Sequence, residues 1–266
     1  MTIRLLTTKH SPASMNMAID EALIESVANG ASLPTLRLYG WQPAAVSIGY
    51  FQSLGEEIDT DTCAKNGVEI VRRMTGGGAV FHDTEITYSM HIPEKLGLVP
   101  NGILESYRAV SEGIIQGLSL FGVQAQFVPL NDIVAPYTLT DPDGTHSIQM
   151  RKISGNAQTR KQGVIVQHGT ILLSVDVEKM FSILKVPDEK MKGKLIADIK
   201  QRVAGLDQLL GRNVSFDEAE KAFIEGFKKA FPGEEFASGE LTADELARVK
   251  TLSDAKYSQA SWNASR

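Results

Sequence analysis

One cysteine among 266 residues, Cys63, has no second thiol with which to form an internal disulfide, and a multi-cysteine zinc site is excluded with it. Long apolar runs are missing too. No stretch approaches the ~18 residues needed to cross a bilayer, and the opening MTIRLLTTKHSP is too short and too soon interrupted for a secretory leader. Basic excess is absent: 27 Lys and Arg stand against 32 Asp and Glu, a formal charge of -5, so a nucleic-acid surface is not suggested. There is no internal repeat, no low-complexity tract, no Gly-x-Ser-x-Gly elbow and no histidine pair at metal-ligand spacing. What is present, 42% hydrophobic and 22% charged residues, is ordinary for a globular chain. The expectation is a soluble cytoplasmic protein that binds neither membrane nor nucleic acid, and a monomer.

Apolar periodicity outlines the elements. Residues 3–7 read as an opening strand, and Met15, Ile19, Ala22 and Leu23 share one face of a helix that Gly30 can end. Alternation predicts strands at 35–39, 45–49 and 68–72, with 79–81 and 86–92 continuing the same sheet. A second amphipathic helix is expected over 104–121, capped by Gly122. Further strands are expected at 126–128, 164–167 and 170–175, with a turn-rich excursion at 138–146. Ser215-x-x-Glu218 and Thr242-x-x-Glu245 have the form of capping boxes, and Phe223, Phe227 and Phe231 give the first of these helices a buried stripe. Strands and helices interleave without a doubly wound repeat. The fold class expected is therefore α/β of the α+β type, a mixed and mainly antiparallel sheet flanked by helices.

Four segments could carry chemistry. In Arg72-Arg-Met-Thr-Gly-Gly-Gly-Ala-Val-Phe-His-Asp83, three glycines let backbone N–H groups approach an anion closely, and the arginines offer forked donors for it. Taken alone, the segment fits equally well as a sharp turn with solvent-facing arginines. In Arg151-Lys-Ile-Ser-Gly-Asn-Ala157, Lys152 is a mobile point charge beside small residues that admit a ligand. A solvated strand-end lysine is the plain alternative. His168, between Gln167 and Gly169-Thr170, reads by itself as a hydrogen-bonded structural histidine, and Asn131-Asp132 as a turn. Cys63 ends a short helix and carries no sign of a low-pKa thiolate.

The order of the motifs is more specific than any one of them. Asn16-Met-Ala-Ile-Asp-Glu21, Gly49-Tyr-Phe-Gln52, the glycine segment, Asn131-Asp132, Arg151–Ala157 and His168-Gly-Thr-Ile-Leu-Leu173 together resemble the lipoate–protein ligase and octanoyltransferase family over nearly the whole chain. The resemblance implies the biotin/lipoate protein ligase catalytic fold, as a single domain over 1–266 without a small C-terminal accessory domain. It implies a catalytic Lys152, contacting the acyl carbonyl and an α-phosphate. It also implies a site for ATP and lipoyl-adenylate drawn from Arg73, Thr75, Gly76, Gly77, Gly78, Ala79, Val80, Phe81 and His82, then Asn131, Asp132, Lys152, Ser154, Gly155, Asn156 and Ala157, and finally His168, Gly169 and Thr170. On this reading the substrates are ATP and lipoate with Mg²⁺, the acceptor is an apo lipoyl-domain protein, and a separate accessory subunit replaces the missing domain.

Two departures bear on the branch. The octanoyltransferases of the family use a cysteine upstream of the Lys-x-x-Gly motif, and no cysteine stands between Asn131 and Lys152. That favours an ATP-dependent lipoate–protein ligase, although Tyr39-Gly-Trp-Gln-Pro43 and Gln158-Thr-Arg160 read more like the transferases. An octanoyl-carrier-protein-dependent transferase and a non-catalytic, adenylate-holding subunit are the alternatives.

Overall fold

The computed structural model describes residues 1–140, 143–185 and 192–266. Eleven strands are assigned among them: β1 (Thr2–Ser11), β2 (Thr35–Trp41), β3 (Ala45–Ile48), β4 (Glu69–Arg72), β5 (Val80–His82), β6 (Glu85–Pro93), β7 (Gln126–Val128), β8 (Asp132–Thr140), β9 (His146–Lys161), β10 (Val164–Leu172) and β11 (Glu235–Ser238). The helices are α1 (Ala13–Ala28), α2 (Leu54–Glu57), α3 (Thr60–Lys65), α4 (Ile103–Leu120), α5 (Val177–Ile183), α6 (Lys192–Arg202), α7 (Leu206–Leu210), α8 (Phe216–Ala230), α9 (Ala243–Leu252) and α10 (Ala260–Asn263). No described helix is long and apolar enough to cross a membrane.

Eight strands form one sheet in the order β11-β1-β2-β6-β10-β9-β8-β7, parallel at β11-β1-β2 and antiparallel in every other pair. The mixed, mainly antiparallel expectation holds. One detail of it does not: 79–81 does not continue that sheet. Val80–His82 pairs with β3 in a separate three-stranded sheet, β4-β3-β5. Alternation showed that these residues were strands and could not show which neighbours they would find.

Period-two alternation splits β6 between two environments. Ile86, Tyr88, Met90 and Ile92 enter the main core with Val110, Ile114 and Leu118 of α4 and with Phe223, Phe227 and Phe231. Burying each phenylalanine removes enough apolar surface to stabilise the fold by roughly 1.5–3 kcal/mol. The helices α4 and α8 approach closely because Gly113 and Gly117 lack side chains. A Cβ at either would come within 2.3 Å of Phe227 or Phe223. Glu85, Thr87, Ser89 and His91 take the other face, where Ser89 and His91 bond to Asp20 of α1 and Glu85 and Thr87 border a cavity.

The excursion foreseen at 138–146 holds its turn at 143–145, while Thr138, Leu139, Thr140 and His146 belong to the ladder. Thr140 pairs with His146 at the tip of a long β8–β9 hairpin, and Asp141-Pro142 lies outside the described residues. The expected strands 164–167 and 170–175 merge into one strand, β10, which runs through Gln167-His-Gly-Thr170 and stops at Leu172, short of 175. Of the two capping boxes only that at Thr242 closes on both sides. At Ser215 the hydroxyl accepts from Glu218 N, but the Glu218 carboxylate pairs with Arg212 instead.

Glu245 does more than cap α9. It accepts two hydrogen bonds from Arg4 (2.7 and 2.9 Å), one from Ser32 (2.8 Å) and one from Thr242 N (2.8 Å), locking α9 to β1. Burial pushes its carboxyl up, but Arg4, the Thr242 N–H and Ser32 outweigh burial and hold it down at about 2, against an ordinary 4.5. A carboxylate depressed on folding stabilises fully above its unfolded value, and that contribution is lost as pH falls through the folded one. Melting temperature should therefore fall between about pH 4.5 and 2. Glu245→Gln should flatten this acid limb while costing about 2–3 kcal/mol at neutral pH, read by calorimetry across that range.

Candidate active site

A cavity of about 700 Å³ opens between the large sheet, the loop joining β4 to β5, and helices α5 and α6. It gathers the segments singled out above. Of the residues expected there, Arg73, Gly77, Gly78, Ala79, Val80, Phe81, His82, Asn131, Asp132, Lys152, Ser154, Gly155, Asn156, Ala157, His168, Gly169 and Thr170 all line it. Thr75 and Gly76 do not line it, but both bond to Arg73, which does.

Lys152 projects from β9 near the start of β8. Its Nζ lies 2.6 Å from Asp132 Oδ1, and both side chains are a little over one-third exposed. The ammonium is thus held at one place but not sealed off. Gly155 makes room for it, since a Cβ there would sit 2.9 Å from Lys152 Nζ. The backbone around it is equally committed: Ala204 N donates to Lys152 O, which fixes the end of α6 against β9. Asn131 and Asn156 bind each other's carbonyl oxygens, and Asn156 Oδ1 also accepts from Tyr88 OH at 2.7 Å. The small-residue motif after Lys152 therefore builds a rigid wall.

The two arginines behave differently from the sequence expectation that they serve an anion. Arg72 is fully buried and donates to the carbonyl oxygens of Gly49, Tyr50, Gln52, Trp262 and Asn263. Arg73 points into the glycine loop. Its Nε donates to Thr75 Oγ1, its Nη1 to Ser47 O and Oγ, and its Nη2 to Gly76 O and Gly78 O at 2.8 and 2.7 Å. All five guanidinium N–H groups are engaged inside the protein, and desolvation lowers its pKa to about 10. Neither arginine offers the fork that a triphosphate would need. They hold the loop's shape. Gly77 takes φ +96°, a conformation open to glycine.

Behind the loop lies a buried polar chain. Thr75 Oγ1 is 2.7 Å from His168 Nε2, and His168 Nδ1 is 3.6 Å from Asp20 Oδ2. A carboxylate facing Nδ1 selects the tautomer protonated there, so Nε2 accepts from the Thr75 hydroxyl. Burial lowers the His168 pKa, outweighing the opposing pull of Asp20, and the ring stays neutral near pH 7. His82 is also built in: it stacks on Trp41 at 4.0 Å and is held by Ser47 and Glu85 at 2.8 Å each.

Sequence reasoning missed the opposite wall. Met180, Phe181 and Leu184 of the α5 region, with Ile199 and Arg202 of α6, face the motif residues across the cavity. That segment carries no motif, and only the fold brings it there. Trp41, Glu85 and Thr87 were missed as well, although a glutamate at the head of an alternating strand was a visible signal. Cys63 does not line the cavity; it lies in the apolar cluster against which the lining residues Ala79, Phe81 and Leu184 pack. It is buried with Val46, Ile48, Ile58, Val68 and Ile183, and burial pushes its thiol up to about 11. Among the described residues, no group of three or more His, Cys, Asp or Glu side chains could hold a metal ion.

Residues 12–228 match the family described as the lipoyl protein ligase A/B catalytic domain. The chain belongs to that family. The octanoyltransferase LipM of Geobacillus kaustophilus is 40% identical, covering 99% of this chain and 98% of its own length. That of Symbiobacterium thermophilum is 42% identical over 98% and 97%. Among solved structures, a bi-partite lipoate protein ligase from Thermoplasma acidophilum superposes with a TM-score of 0.84 at 33% identity, covering 99% of this chain and 96% of that one. The lipoate ligase-type fold is thereby shown.

The branch expectation is corrected. Curated relatives at 35–42% identity over essentially the full chain are octanoyltransferases, which overturns an ATP-dependent, adenylate-forming ligase. The arginine geometry agrees, since the forked donors offered to an anion are spent on carbonyl and hydroxyl oxygens of the protein itself.

Replacing Arg73 with lysine leaves one point charge where five directed donors stood. Amide hydrogen exchange of residues 75–79 should then speed up by at least about tenfold, for a loss of local stability near 1.4 kcal/mol or more, while the main-core strands keep their protection.

Proposed function

We propose that this protein transfers an eight-carbon acyl group of the octanoyl class from a carrier-protein thioester to a lysine of a lipoyl-domain protein, in one direct step. The observation that carries the reading is Lys152, an ammonium fixed at an acyl-sized cavity with no thiol among its lining residues. The transferase relatives support the reaction class. The absence of a cysteine from the cavity lining supports the direct route.

In this scheme the acyl chain lies between the sheet and the apolar side chains of Phe81, Met180, Phe181 and Leu184. The acceptor's neutral amine attacks the thioester carbonyl, forming the C–N bond. The negative charge that develops on the carbonyl oxygen is met by Lys152 Nζ, where a positioned cation acts most strongly. The C–S bond then breaks, and the carrier thiolate leaves with the proton shed by the attacking nitrogen. Asp132 keeps Lys152 aimed, and the rigid β8–β9 wall keeps the reacting atoms together.

The test is mass spectrometry of an apo lipoyl domain incubated with the protein and octanoyl-loaded carrier. An octanoyl mass gain is expected. Lys152→Ala should slow it by about 10²–10³-fold, and Cys63→Ser should leave the rate within about twofold, since its buried sulfur is not among the atoms lining the cavity. Loss of transfer in a folded Cys63→Ser protein would sink the direct step. No transfer by the unaltered protein would sink the function.

A further inference from the structure

Glu85 begins β6 on the cavity wall and is 3% exposed, and one of its two oxygens has no partner. Oε1 is well served: Thr87 Oγ1 donates to it at 2.6 Å and His82 Nδ1 lies 2.8 Å away. Thr87 in turn accepts from Trp41 Nε1 at 2.8 Å, so the carboxylate is locked in orientation. Oε2 is removed from solvent and bonds to nothing among the described residues. A buried carboxylate oxygen left in that state bears the full cost of its desolvation. Such atoms call for a ligand or an ordered water.

The sheet register shows which end of the cavity the Glu85 side chain borders. Thr87 is level with Thr170 on β10, and Thr170 is level with Gly155 on β9, beneath the Lys152 ammonium. From β9 to β6 is two strand spacings, about 10 Å, close to the reach of an extended eight-carbon chain. An acyl group whose carbonyl sits at Lys152 therefore ends against Trp41, Thr87 and Glu85. A plain octanoyl tail ends there in a methyl group, which gives Oε2 nothing.

We infer that Glu85 is a specificity residue, and that the far end of the pocket favours an acyl tail carrying a hydrogen-bonding hydroxyl or thiol over one ending in methyl. A hydroxyl both donates and accepts, so it satisfies Oε2 whether or not that oxygen carries a proton. The inference rests on the cavity being the acyl site.

Calorimetric titration of the intact protein with octanoate and with ω-hydroxyoctanoate tests it without any substitution. The ω-hydroxy acid should bind about fivefold tighter or more. In Glu85→Leu, checked for folding by its melting curve, the order should reverse. Equal or tighter binding of octanoate by the unaltered protein overturns the inference, as does an unchanged ratio in Glu85→Leu or no binding of either acid. Octanoyl transfer scored in parallel separates the two ideas. Transfer without discrimination overturns the specificity role alone, and discrimination without transfer overturns only the proposed reaction.

Discussion

A buried carboxylate organises this molecule. Asp20, on α1, is almost wholly removed from water and accepts from Arg37 Nη1 and Ser89 Oγ on one oxygen, with Tyr39 OH and the His168 ring at the other. Burial alone would raise its pKa, yet the His168 ring and the Arg37 guanidinium hold it well below the usual carboxylate range. Such a charge is tolerable inside a protein only when its partners are all in place. Its partners come from β2, β6 and β10, three successive strands. The same requirement that neutralises Asp20 therefore fixes the helix to the sheet, sets the His168 tautomer, and through Thr75 reaches the glycine loop.

Much of this was legible in the sequence, for reasons that differ by segment. Amphipathic helices such as α4 and α8 declare themselves because one face must be apolar over several turns. The motif segments could be recognised because close backbone approach demands glycine and small residues at Gly155 and Gly77. Pairing partners were harder to see. Nothing in Ala79-Val80-Phe81 distinguishes an added strand of the large sheet from a member of a separate one. The long strand β9 was hidden because its residues around Lys152 read as a small-residue stretch admitting a ligand and its start as a turn.

The arginines are the more instructive error. A guanidinium next to three glycines invites the idea of an anion clamp, and composition cannot tell an arginine that faces a ligand from one that faces carbonyl groups. The geometry decides the matter. The relatives point the same way, to transfer chemistry rather than nucleotide chemistry. Under the proposed transfer Lys152 keeps the role that the resemblance implied, because an oxyanion needs a cation whichever leaving group departs.

The saturated guanidinium of Arg73 has a last consequence, for entropy. A loop rich in glycine loses more conformational freedom on ordering than any other kind of chain. Were the loop held only by its ligand, every binding event would have to immobilise it afresh. Here Ser47, Gly76 and Gly78 are tied through one side chain as the protein folds. The cavity wall is set in advance, and binding energy remains free to orient the reacting groups.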